Sequence, residues 1–465
     1  MRLNGHRAGS WHAMPLEIFG IPVSEFGFHS GFGLRVSDSD TTRERGSVLI
    51  IVLWVAFGLV SLALYFANSM SLEMRASDNR AASAQAEQAI AGAVRYASNV
   101  LANVQEAGTL PDWTTYRYEA VTIGEAMFWL LGRGDERQET LGLPSFGLLD
   151  EASKLNLNTA TLEMLQTLPR MMPELAAAIV DWRDSNDDVT EGGAESQTYL
   201  RRNPPYRCKN APFESIDELR LVFGAYLDIL YGEDANLNGI LDPNENDGDA
   251  SPPADNRDGR LDSGLLDYLT IYTRQPATGT NVNRPQDVAA LLVEKLGSER
   301  AGQIQVPGNL GSVLEFYLRT SLTRAEFEQI ETNLVSTNLV GLVNVNTASE
   351  AVLACIPGIG LDKAPTLVAY RKTNPGQLNT VAWVKDVLDR ESALRAAPWL
   401  TAHTYQFTAD VAAVGHHGRG YQRAKFVFDT SEGAPKILYR QDLGHLGWAL
   451  GANVRRTLLL AKEIR

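Results

Sequence analysis

Asp234, Asn236, Asn238, Gly239, Ile240, Asp242 and Glu245 fall at the first, third, fifth, sixth, seventh, ninth and twelfth places of the stretch DANLNGILDPNE. This is the spacing of a twelve-residue calcium loop. A hard cation takes about six to eight oxygens, which alternate side chains of a tightly turned loop can bring to one point. Glycine permits the turn, Ile240 lends its carbonyl, and a terminal Glu245 closes the shell with both oxygens. Calcium is therefore the expected cofactor.

The acids continue downstream. Asp247, Asp249, Asp255, Asn256, Asp258 and Asp262 surround Gly248 and Gly259, and DNRDGRLD repeats the pattern without a ligand at its first place, Ala254. A second ion sharing these acids is expected, because so dense a cluster of carboxylates repels itself without a counter-ion. The alternative is a solvated acidic loop. Ser215 with Glu218 forms a capping box, and Leu219, Phe223, Tyr226, Leu227 and Leu230 follow at helical spacing, so one helix is predicted to lead into the loop. Asn246-Asp247-Gly248-Asp249 leaves no exit helix, which points to a fixed structural ion rather than an opening sensor.

No catalytic constellation accompanies the loop: G-x-S-x-G, H-E-x-x-H and G-x-x-x-x-G-K-[ST] are all missing from the sequence, and no enzyme is expected. His416-His417 reads as part of a glycine-rich turn and Cys355 as a core residue before Pro357-Gly358. Cys208 and Cys355 are the two cysteines, too few for a disulfide framework; one bridge or two free thiols both fit. Acids exceed bases by 56 to 42, a net charge of -14, which argues against a general nucleic-acid or anionic-membrane binder.

The elements that must carry this loop begin with Val48 to Ala67, an uncharged apolar run long enough to cross a hydrocarbon core of about 30 Å. A buried core helix is the alternative, but soluble helices of that length carry a polar face. Arg43 and Arg45 abut its N-terminal side, which places the N-terminus in the cytoplasm. Helical character continues to about Asn103. Residues 1–42 lack the compact apolar stretch and small-residue cleavage site of a secretory signal and read as a leader or mis-assigned start.

Further on, three Asn-x-Asn elements, Asn156-Leu157-Asn158, Asn281-Val282-Asn283 and Asn344-Val345-Asn346, suggest duplicated helical units. The first and third each precede two helices joined by a tight turn, with Thr347 and Glu350 predicted as a capping box. Leu353 to Arg371, with Pro357-Gly358-Ile359-Gly360 at its turn, also looks like a helix-hairpin-helix whose glycine amides could hold a DNA phosphate. The earlier copy has Arg170-Met171-Met172 in place of the glycines and the local charge is near neutral, so packing is preferred over a DNA contact. From about His403, TYQFTADVAAV, RAKFVFDT and PKILYRQD alternate as strands between glycine-rich turns. With candidate strands near Glu125 to Leu131 and Phe146 to Lys154, they predict an antiparallel sheet.

The sequence RERG ahead of Ser47 and an unbroken apolar helix resembles a type IV prepilin processing site, which implies cleavage between Gly46 and Ser47 by a prepilin peptidase. The fifth residue after that cut is Ile51, where most such subunits carry glutamate. That departure, with DEASKLNLNTA and LVNVNTA leading two helical units that resemble SAM-like insertions, is similar to the K-type minor pseudopilins of type II secretion. The resemblance implies an α+β fold: a long N-terminal transmembrane pilin helix, a small antiparallel sheet, and a large inserted all-α domain with SAM-like, helix-hairpin-helix-like units. Expected divisions are a leader at 1–46, the helix at 47–103 with its span at 48–67, the first part of the α+β unit at 104–155, the insertion at 156–400 with calcium loops at 234–262, and C-terminal strands at 401–465. It further implies a single-pass inner-membrane protein with its C-terminal domain in the periplasm, capping a pseudopilus tip. Its partners would be other minor pseudopilins, the major pseudopilin and the inner-membrane secretion platform. A membrane-anchored DNA-uptake protein is the alternative.

Overall fold

The computed structural model describes residues 47–133 and 145–463; Gly46 of the expected processing site lies outside them. The N-terminal helix α1, Ser47–Ala102, is 56 residues long. Two compact units divide at Met70. In the first, the described residues are the apolar half of α1. Its Leu49, Trp54 and Tyr65 are each more than 70% exposed. Among the described residues it is the one helix long and apolar enough to cross a membrane. Side chains with no water-facing partition and no protein cover are what a hydrocarbon solvent asks for.

In the second unit, the alanine-rich half of α1 packs on a six-stranded sheet. β1 (Val121–Ile123), β2 (Ala126–Leu131), β10 (Gln406–Val414), β11 (Gln422–Asp429) and β12 (Lys436–Asp442) lie side by side in that order, and β3 (Leu149–Asp150) pairs with β10 beyond the end of β2. Every pairing in this sheet is antiparallel, with Val411 opposite Leu130 on one side and Ala424 on the other. Side chains alternate between faces with period two. Phe128, Leu130, Phe407, Val411, Phe426 and Phe428 meet Ala86, Ala89, Ile90, Ala93 and Ala97 of α1. Trp129, Leu131, Ala412 and Val414 point the other way, against Ala449 and Leu450. Alanines at three- and four-residue spacing let the helix lie close to the strands. The approach is tightest at Gly415, where a Cβ would sit 2.1 Å from the Ala82 carbonyl.

The strands predicted after His403 and before Leu131 are all present. β1 is additional to the expected strands, and the end of the 401–465 segment, expected as strands, forms a helix, Gly451–Glu463. The Phe146 to Lys154 run gives a two-residue strand and a 3-10 turn, Glu151–Ser153, because the Asp150 side chain turns back to accept from the Ala152 amide.

Between β3 and β10 the chain forms a largely helical insertion with its own core, running from Leu155 to Ala402. Its three Asn-x-Asn elements share one geometry. Asn156, Asn281 and Asn344 each end a two-residue strand (β4, Leu155–Asn156; β6, Thr280–Asn281; β8, Val343–Asn344). These pair in parallel with β5 (Leu269–Thr270), β7 (Leu334–Val335) and β9 (Leu400–Thr401). In each, the first Asn Oδ1 accepts the amide of the second Asn, at 2.9, 2.8 and 3.0 Å. The second Asn then clamps a later segment: Asn158 exchanges two bonds with Phe213, Asn283 two with Leu310, and Asn346 donates to the Leu378 carbonyl while accepting from the Trp383 indole. Amide side chains suit this task because each carries a donor and an acceptor.

Two local expectations need correction. Ser349, not Thr347, caps the helix Glu350–Ala354 by accepting from the Val352 amide; Thr347 instead donates to Asp150 Oδ2 at 2.5 Å. The helix expected from Ser215 through Leu230 is broken in two. The Ser215–Glu218 capping box starts a 3-10 turn, Ile216–Leu221, which stops at Val222, and a separate helix covers Leu227–Tyr231. Gly224, at φ +82 and packed on Leu175, makes the break.

Candidate metal centre

The loop from Asp234 to Glu245 lies behind the sheet and is largely closed to solvent: Asp234, Asn238 and Glu245 are at most 2% exposed. Asp234 Oδ1 accepts from the Asn238 amide and Oδ2 from Gly239, at 2.9 and 2.8 Å. Gly239 adopts φ +68, the left-handed turn that its place in the loop requires. Asn236 and Asn238 both donate their Nδ2 to Asp242 Oδ2, and Ile240 donates its amide to Asn238 Oδ1. Glu245 spans the loop, its Oε1 accepting from the Ala235 amide and its Oε2 from the Asp242 amide, both at 3.0 Å. It sits in a 3-10 turn, Pro243–Glu245, in place of an exit helix.

Burial pushes all three carboxyls upward. Glu245 reaches about 8, with the charges of Asp234 and Asp242 adding to the effect. Asp234 and Asp242 are also raised by burial, opposed by the nearby Arg133 guanidinium in the first case and by the amides of Asn236 and Asn238 in the second. Asn236 Oδ1 is buried without a hydrogen-bond partner. Unpaired polar atoms and desolvated acids on one loop are what a bound cation would compensate. The donor set is all oxygen, fitting a hard cation.

The second acidic stretch is organised differently. Asp255 Oδ2 gathers the amides of Asp247 and Gly248, at 2.8 and 2.7 Å, and its Oδ1 accepts from Arg257; burial works against ionisation there, but these amides hold the carboxyl below its usual range. Asp247 bonds Ser251, Asp258 bonds the Arg260 amide, and Asp262 takes the Asn256 side chain, while Asp249 is exposed. The sequence reading missed Glu233. It is 3% exposed, accepts from the amides of Asn256 and Asp262, and ties the second loop to the start of the first.

Two arginines far away in sequence also converge here. Arg133 pairs with Asp267 at 2.9 Å and donates to the Leu237 carbonyl; Arg423 donates to the carbonyls of Asn236 and Leu237. Spacing gave no sign of either.

The remaining sequence candidates have structural partners. His416 spans Asp78 and Gln85 of α1, at 2.7 and 2.6 Å. Cys208 and Cys355 are separate buried thiols, each pushed up to about 12 by burial. At the hairpin turn, Gly358 has φ +89, and a Cβ there would lie 2.5 Å from the Ser392 carbonyl, so protein backbone fills that side of the turn. Ser47 opens α1.

Residues 150–230 match the family model described as type II secretion system (T2SS), protein K. A protein named type II secretion system protein K, from Klebsiella pneumoniae, is 30% identical over 110 residues, which cover 23% of this chain and 31% of that relative. The chain thus matches about a third of that relative's length. A solved structure titled as the GspK-GspI-GspJ complex from the enterotoxigenic Escherichia coli type 2 secretion system aligns over 80% of this chain and 99% of its own, at 12% identity and a TM-score of 0.39.

Proposed function

We propose that the chain is a member of the type II secretion system protein K family, a minor pseudopilin stiffened by calcium, on the strength of the match over residues 150–230 and the similarity to the Klebsiella pneumoniae protein. The observation that carries this reading is the place of the matched segment. Residues 150–230 open a helical insertion between strands of a small antiparallel sheet, and that sheet packs on the outer half of an apolar-to-polar helix. A helix that is greasy in one half and sheet-bound in the other can be drawn from a bilayer into a filament without rebuilding the head.

On this reading a prepilin peptidase cuts between Gly46 and Ser47. The apolar half of α1 anchors the chain once in the inner membrane, and the head lies in the periplasm at the pseudopilus tip. Its partners are other minor pseudopilins, then the major pseudopilin and the inner-membrane secretion platform. With Ile51 in place of the usual acid, the apolar half of the helix carries no carboxylate to seek a preceding subunit's amine, which suits a terminal position. The role is structural rather than enzymatic.

Calcium would be held by Asp234, Asn236, Asn238, the Ile240 carbonyl, Asp242 and Glu245, with Asp247, Asp249, Asp255, Asp258 and Asp262 available to a second ion. The ion would offset the charge of the buried acids and lock the loop. Extracellular-type modules of this kind bind at about 10⁻⁴ to 10⁻³ M. Thermal melting of the full chain in detergent, with calcium and with chelator, tests the metal. Calcium is expected to raise the melting temperature of the wild type by more than that of Asp234→Ala with Glu245→Ala; identical wild-type curves would remove calcium from the proposal. Co-purification of smaller pseudopilins with the tagged chain tests the assembly, and its failure in secreting cells would count against the tip role.

A further inference from the structure

A second group of acids lies in the matched segment, away from both loops. Asp181 is in the last turn of the helix Pro173–Arg183, Asp184 follows that helix, and Glu195 precedes the short helix Ser196–Tyr199. Among the described residues, this is the group of three acids whose ligand oxygens all lie within 4.8 Å of one another. The three carboxylates of the loop at Asp234 are not so gathered.

Three carboxylates drawn together would ordinarily repel. Here they are also withdrawn from water: Asp181 is fully buried and Glu195 is 2% exposed. Asp181 has the Thr190 amide, at 3.1 and 3.3 Å, and Asp184 has the Asn186 amide, at 3.1 Å. Glu195 has nothing. Both of its carboxylate oxygens are buried without a hydrogen-bond partner. A buried carboxylate left in that state costs several kcal/mol unless it takes up a proton or faces a cation, and burial does push Glu195 up to about 7.

Arg183 donates to the carbonyls of Leu157 and Ala160 while its charge acts on Asp184, and Lys209, beside Cys208, is paired with Glu218. The chain between the acids is shaped around them. A Cβ on Gly193 would fall 2.1 Å from Asp181 Oδ2, so only glycine lets the backbone pass the carboxylate.

We propose that Asp181, Asp184 and Glu195 form a binding site for a hard divalent cation of calcium size, separate from the loop at Asp234. Calcium bonds oxygen at about 2.3 to 2.6 Å, so oxygens on opposite sides of the ion are about 5 Å apart at most. The observed spacing falls inside that span. Magnesium, at about 2.0 to 2.1 Å, keeps several of its waters and fits a buried all-carboxylate pocket less well. Cys208 borders the site, with its Sγ 3.7 Å from the Asp181 carbonyl, but its buried thiol stays protonated and adds no soft ligand. The ion would tie the end of one helix to the start of the next, beside Trp182, which packs edge-on against Tyr199 at 5.2 Å.

The test uses the full chain in detergent, stripped with chelator, re-equilibrated with calcium chloride alone and assayed for bound calcium by equilibrium dialysis. Both acidic loops are first disabled, by Asp234→Ala with Glu245→Ala and by Asp255→Ala with Asp262→Ala. That chain is expected to retain one calcium, and adding Glu195→Gln is expected to abolish it. Asp184→Asn serves as a second removal, because Asp184 is half-buried and bonded to a neighbouring amide alone. Circular dichroism confirms that each chain is folded. The proposal is overturned if the folded loop-disabled chain binds no calcium, or if its calcium survives both Glu195→Gln and Asp184→Asn. Failure of the loop reading looks different: wild type and loop-disabled chain would then hold equal calcium, all of it lost with Glu195→Gln.

Discussion

Arg423 and Asp410, on adjacent strands, form a buried two-pronged ion pair, with Nε to Oδ1 at 2.9 Å and Nη2 to Oδ2 at 2.6 Å. From that anchor the guanidinium reaches the carbonyls of Asn236 and Leu237. One side chain thus joins the sheet to the loop at Asp234. Asp410→Ala would leave a fully buried cation with no counter-charge, a loss of about 3 to 5 kcal/mol. A large drop in melting temperature is expected, together with weaker calcium stabilisation because the loop carbonyls lose their fixed donor. Unchanged calcium dependence in the variant would show that the loop is positioned without the sheet.

Glu151 makes the same junction sensitive to acid. It accepts from Thr270 in the insertion and from Thr408 in β10, at 2.5 and 2.6 Å. Burial alone would raise its carboxyl, but Lys154, Lys425 and the two hydroxyls outweigh that and pull it to about 2. A depressed folded value means stability that is present above the unfolded value of 4.5 and lost as pH falls towards 2. The wild type should therefore lose a few kcal/mol over that window, by about 1.4 kcal/mol per unit. Glu151→Gln should be less stable at neutral pH and flatter below it, and melting curves across the window compare the two.

Gly358 separates packing from recognition at the hairpin. Its positive φ and the Ser392 carbonyl leave no space for a methyl group. Gly358→Ala is expected to lower stability by more than about 1 kcal/mol, whether or not nucleic acid is present. A stable Gly358→Ala chain that has lost affinity for duplex DNA in a gel shift would instead support the DNA-uptake alternative.

The Asn-x-Asn clamps should fail locally. Asn283→Ala strips both partners from the Leu310 backbone, and each buried group left unpaired costs about 1 to 3 kcal/mol. Hydrogen exchange at the Leu310 amide should accelerate well before exchange in β10 does.

The mature N-terminus checks the processing site. Mass determination of the chain purified from membranes is expected to begin at Ser47; an intact residue 1 would contradict the prepilin resemblance.

What could be read from the sequence was whatever repeats locally. The apolar run with the alanine-rich, proline-free stretch after it gave α1 to within a residue of its observed end, two-residue alternation gave β2, β10, β11 and β12, and fixed spacing gave the turn of the loop from Asp234 to Glu245, whose hydrogen bonds join neighbours at most eleven places away. The Asn-x-Asn elements were visible as words, but not as clamps, since their partners at Phe213, Leu310 and Leu378 carry no common signature. Distant convergence was decided by the fold alone: Arg423 and Arg133 on the loop, Glu151 between insertion and sheet, and Glu195 against Asp181. Those contacts depend on which faces of separate elements are buried together, a global packing solution that no short window of residues encodes.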